Sequence, residues 1–123
     1  MANYGEYNAQ NLRNRIDVYA YLPVKNEYTG KTEYKYQLVK KGVYASLRLV
    51  RRKLREGEAE TKYGIITHEV LMRRKSVPTL DETYRFHYQD SYMKEPIIMK
   101  ILSIDYDFDR TGVIYCRCEQ VIE

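Results

Sequence analysis

The chain has 123 residues, 44% hydrophobic and 31% charged, with 21 Lys and Arg against 17 Asp and Glu for a formal net charge of +4. That length fits one domain with one core, burying roughly two thirds of the unfolded surface. No apolar run reaches the ~18 residues of a membrane helix, and the polar start MANYGEYNAQN lacks the charged and apolar regions of a signal peptide, so a soluble chain made in a cytosol, with no membrane partner, is expected.

Residues 1–11 carry no periodicity and are expected to form an N-terminal arm ahead of a single domain over 12–123. Tyr4 and Tyr7 in that arm are candidate docking residues, the alternative being a frayed end. From Asn14, RIDVYAYLPV alternates, with Ile16, Val18, Ala20 and Leu22 on one face and Asp17, Tyr19 and Tyr21 on the other. This is a strand, which Pro23 either ends or marks as an edge because it cannot donate to a ladder.

Asn26 and Gly30 then supply a turn, and YKYQLVKKGVYASLRLV resumes strand character, with Gly42 marking a bulge or a break. A long hairpin results. Val43, Ala45, Leu47 and Leu49 share one face, and Tyr44, Ser46 and Arg48 the other.

VRRKLREGEAETKYG, Val50 to Gly64, has almost nothing to bury. As a helix, its Val50, Leu54 and Ala59 would give only a narrow stripe, and Gly57 would cost about 1 kcal/mol against alanine. A long charged inter-strand loop is expected, with Leu54 tethering at most one short turn of helix. A polar loop of this length in a compact domain is either filler or functional.

GIITHEVLMRR is a strand of ambiguous facing, SVPTLDE a short irregular crossing, and TYRFHY a strand with Tyr84, Phe86 and Tyr88 on one side. QDSYMKEP is a connection to the long apolar strand IIMKILSIDYDF. DFDRTG turns into VIYCRCEQVI, closing a C-terminal β-hairpin in which Ile114, Cys116 and Cys118 share a face. Val121 and Ile122 at its end are candidate docking residues. About six strands, with 14 tyrosines and many β-branched residues, predict an all-β chain folded as a small antiparallel barrel or sandwich.

Motifs for chemistry are sparse. His68 and His87 stand singly, without the spaced companions of a triad or a metal site. Cys116 and Cys118 are i and i+2 on a strand, roughly 6.5–7 Å apart at Cα, which suits buried thiols better than a disulfide. Asp105, Asp107 and Asp109 lack the glycine and distal glutamate of a calcium loop, and no glycine-rich phosphate loop follows a strand. No catalytic residue, cofactor or metal is expected. The basic knots, Arg48 to Arg55 and Arg73 to Lys75, leave nucleic acid or an acidic protein surface as possible partners. A standalone nucleic-acid-binding barrel is therefore one candidate function.

The order RIDVYAYL, VYASLRL, charged loop, THEVLMRR, YRFHY, IIMKILSID, IYCRCEQV resembles the phage head-tail joining family, the head closure or stopper proteins. Tyr44, Ala45, Ser46 and Leu47 carry most of the likeness, together with Thr67, His68, Glu69 and Val70 followed by Arg73. The family usually has tryptophan where Tyr44 stands, and a shorter link than Gln89 to Pro96. The resemblance implies a non-enzymatic β-barrel, monomeric alone, that forms a ring on the portal or its adaptor and offers the surface to which tail-completion proteins attach. It implies synthesis in a bacterial host cytoplasm and residence at the virion head-tail junction. By position, the loop facing the DNA channel or a neighbouring subunit would hold Arg48, Arg51, Arg52, Lys53, Arg55, Glu56, Glu58 and Glu60.

Overall fold

The computed structural model describes residues 12–53, 65–106 and 112–122, with backbone only at 51–53 and 65–66. Tyr4, Tyr7, Arg55, Glu56, Glu58 and Glu60 lie outside the described residues. The strands are β1 (Asn14–Lys25), β2 (Thr32–Lys53), β3 (Ile65–Arg73), β4 (Arg85–Tyr88), β5 (Ile97–Asp105) and β6 (Val113–Gln120). They close into a barrel in the order β1-β2-β3-β6-β5-β4, each antiparallel to its neighbours. The expected all-β barrel is the observed one.

Period-two alternation fills its interior. Ile16 and Val18 of β1, Val43 and Ala45 of β2, Val70 and Met72 of β3, Phe86 of β4, Met99 and Ile101 of β5, and Ile114, Cys116 and Cys118 of β6 form one buried cluster. Fully burying each large aliphatic or aromatic side chain contributes about 1.5–3 kcal/mol. The crossing from β3 to β4 passes over one end of the barrel and joins Val77 and Leu80 to the same core. It contains a short 3-10 turn, Arg74–Ser76, anchored where the Arg74 N–H donates to the Gly112 carbonyl at 2.7 Å. The ambiguous facing of β3 has a structural basis, because its outward Leu71 is buried too, in a second cluster with Val113 and Tyr115.

Barrel closure needs bent strands, and bulges supply the bend. Ile16 faces Val43 while Tyr19 faces Leu38, so three steps along β1 match five along β2. Gly42, at φ +67°, sits in this irregularity. A further shift falls between Leu49 and Arg52 of β2.

β2 is the longest element, 22 residues, or roughly 70 Å if fully extended. It outruns the barrel at both ends. Among the described residues its first half pairs with β1 alone, since β1 meets β4 over Asp17–Tyr19, and the two strands project as a hairpin ribbon. Its last residues, Arg52 and Lys53, pair with Ile66 and Ile65 below the level where β3 meets β6. Val50 to Lys53 therefore belong to a strand, a correction to the expected loop boundary: two-stranded pairing needs main-chain partners, not apolar side chains.

Candidate functional site

Two regions of the surface gather the predicted site residues and the exposed aromatic residues, one at each end of β2. At the end where β2 runs into residues 54–64, the predicted basic residues divide. Arg48 lies in mid-strand, where its Nη2 donates to Glu69 Oε1 at 2.8 Å. The arginine side chain is 58% exposed and the glutamate 5%, so the guanidinium neutralises a carboxylate that burial would otherwise penalise. Arg117 of β6 flanks Glu69 from the other side by register. It also donates to Ser103 Oγ at 3.2 Å, and its guanidinium lies 4.6 Å over the Tyr115 ring. Placing Arg48 in a channel loop is thus corrected: it is a strand residue paired within its own chain. Arg51, Arg52 and Lys53 follow it along the ribbon.

The same end carries the C-terminal residues. Val121 donates its N–H to the Ile98 carbonyl at 2.8 Å, extending the β5–β6 ladder by one bond, whereas Ile122 is 90% exposed. Both border a shallow depression of about 340 Å³ with Glu95, Pro96 and Ile98. Lys100 and Glu119 close a surface ion pair at 2.9 Å nearby on β5 and β6.

The other end is aromatic. Across the β1–β2 ribbon, Tyr19 faces Leu38, Tyr21 faces Tyr36 and Pro23 faces Tyr34, so six apolar or aromatic side chains share one face. The Tyr21 ring stacks with Tyr34 at 5.6 Å and tilts against Tyr36 at 4.9 Å. From β4, the Arg85 guanidinium covers Tyr36 at 4.2 Å and His87 stacks on Tyr19 at 3.9 Å. Tyr21, Tyr34 and Leu38 nonetheless remain about half exposed. Sequence reasoning noted the tyrosines but not this strip, because its assembly depends on a register shifted by two residues at Gly42.

His68 is buried, with Nδ1 at 2.9 Å from the Thr67 hydroxyl, and burial lowers its pKa below the usual 6.5. The Cys116 and Cys118 thiols are fully buried, and desolvation drives both pKa values well above the ordinary thiol range. Among the described residues no three His, Cys, Asp or Glu side chains cluster as metal ligands. None of their helices is long and apolar enough to cross a membrane. A depression of about 850 Å³ lies outside the barrel beside the Gly42 bulge and mixes Arg15 and Lys41 with Asp17 and Asp90. Neither a protein-family model nor a curated protein sequence matches the chain.

Proposed function

We propose that this chain is a structural head-completion protein of a phage or prophage, joining the portal vertex to the tail and helping to retain packaged DNA. The observation that carries the proposal is the placement of two chemically different surfaces at opposite ends of one continuous strand, β2. A protein that links two neighbours needs two such surfaces held at fixed separation, and a closed barrel threaded by a shared strand supplies that rigidity. The order of sequence segments that resembles the head-tail joining family supports the same reading.

In this reading the protein is a monomer alone and becomes a ring on the portal or its adaptor at the virion head-tail junction. Ring formation would gather Arg51, Arg52, Lys53 and Arg55 of many copies around one axis, where like charges repel unless compensated. DNA phosphates in the channel, or Glu56, Glu58 and Glu60 of a neighbouring subunit, are the compensating charges. Arg48 brings a charge already offset by Glu69.

Electron microscopy of the purified protein mixed with its cognate portal ring tests the proposal. Growth of the portal by one added ring is the expected result. Failure to add a ring, combined with DNA binding by the isolated protein that falls steeply with salt, would instead favour a standalone nucleic-acid-binding barrel. Deleting residues 55–60, which spares the β2–β3 pairs, separately tests gating: filled heads should then leak DNA.

A further inference from the structure

The β1–β2 ribbon combines an aromatic face with a main-chain edge that has no ladder partner among the described residues. β1 stays paired to β2 through Lys25 but loses β4 after Tyr19, so one edge of Ala20–Lys25 is open among the described residues. Pro23 lies within this stretch opposite Tyr34. A proline in a paired strand is accommodated with its nitrogen turned away from the ladder, so Pro23 and its same-parity neighbours Tyr21 and Lys25 direct their main-chain groups to the open edge. That edge therefore offers N–H donors at Tyr21 and Lys25 and carbonyls at all three. Missing one donor at its centre, it resists indiscriminate pairing with further copies, as edge prolines and lysines commonly ensure.

Beside the open edge, in line with β4, lies a cleft of about 320 Å³ lined by Tyr21, Tyr36, Arg85, Lys100 and Glu82. Its lining carries Arg85 and Lys100 against Glu82, with Lys100 also paired to Glu119 at 2.9 Å. The ribbon itself, residues 19–41, carries five lysines (25, 31, 35, 40 and 41) against Glu27 and Glu33, a net charge of +3. An occupant that complements this region is acidic.

We propose that the open edge of β1 receives an extended, acidic segment of a partner protein, which adds a strand to the ribbon and places an acidic side chain in the Arg85–Lys100 cleft. A polypeptide is favoured over nucleic acid on two grounds. Only a polypeptide can satisfy a row of strand N–H and C=O groups. The Tyr21, Tyr34 and Tyr36 rings already pack on one another, and Arg85 covers Tyr36, so stacking bases would compete with these contacts. The inference does not depend on the virion assignment.

The test uses the full chain with three probes: a ten-residue peptide alternating Glu with Val and Thr, the same peptide with Lys in place of Glu, and a single-stranded oligonucleotide. Amide hydrogen exchange and fluorescence anisotropy are read together. The acidic peptide should bind with a Kd of about 0.1–1 mM and slow exchange at Tyr21 and Lys25. Lys25→Pro removes a donor from the open edge without touching the β2 ladder, and should weaken binding roughly tenfold, as should Arg85→Gln. Equal binding of the lysine peptide, or protection of the same amides by the oligonucleotide, overturns the proposal. So does the absence of any protection at about 1 mM acidic peptide. Circular dichroism of both variants establishes that they fold, so that lost binding is read at the edge itself.

Discussion

The main-chain N–H of Gly42 donates to Asp17 Oδ1 at 2.9 Å, so the side chain of β1 holds the bulge of β2 that lets the ribbon leave the barrel. Gly42 adopts φ +67°, and a Cβ added there would meet nothing within 4 Å. Substitution by alanine therefore costs only the left-handed backbone, about 1–2 kcal/mol. Asp17→Ala leaves the bulged amide without its acceptor and should cost about 1–2 kcal/mol. Urea unfolding of Gly42→Ala should show a lower midpoint with an unchanged slope. An unchanged midpoint would mean that the bulge relaxes without cost.

Arg48 and Glu69 make a second cross-strand relationship with a measurable consequence. Because the carboxylate is buried and the guanidinium half exposed, removing the cation harms the fold more than a surface ion pair would suggest. Arg48→Ala should lower stability by about 1–2 kcal/mol, Arg117 on the far side of Glu69 limiting the damage. A double substitution of Arg48 and Glu69 by Met and Leu should recover part of the loss, since no buried charge is then left behind. Chemical denaturation of the three variants, analysed as a double-mutant cycle, gives the coupling.

Strand identity was legible because alternation reports which face a residue takes. Ile16, Val18 and Ala20 were expected inside, and so they lie. Alternation does not report how far a strand remains over the core. Leu22 and Leu49 continue the inward series of β1 and β2, yet both are exposed, because β1 pairs with β4 no further than Tyr19 and β2 pairs with β1 no further than Ala45. For the same reason the polar run from Val50 resembled a loop while Lys53 still pairs with Ile65. The aromatic strip was hidden differently. Tyr21 meets Tyr36 only because β2 carries two extra residues near Gly42, and no local pattern in VYAYLP or EYKYQL encodes that count.

The two thiols provide a probe of barrel opening. Cys116 and Cys118 point into the core and have no exposed surface, and burial strongly disfavours their thiolates. The thiolate is the reactive species, so the native protein should leave an aromatic disulfide reagent unreacted at pH 8. Both thiols should titrate once the chain is unfolded in denaturant. Reaction of either thiol at a rate independent of denaturant would show that the barrel opens locally along β6.

His68 sets the expected pH dependence. Its ring lies inside the barrel wall opposite Cys118, close to the Thr67 hydroxyl, and desolvation lowers its folded pKa below the 6.5 of the free side chain. The neutral ring is therefore the form the fold accommodates. Below pH 6.5 the unfolded chain takes up a proton that the folded chain still refuses, so the unfolded state binds more protons and stability falls as pH falls. Above 6.5 both states hold a neutral ring, and this contribution is fully present and flat. Urea midpoints measured from pH 7.5 down to pH 5 should decline from about 6.5 downwards in the wild type. His68→Gln, which keeps a polar partner for Thr67 but cannot titrate, should lose that part of the slope. If the variant and the wild type fall in parallel, the acid sensitivity resides in other groups.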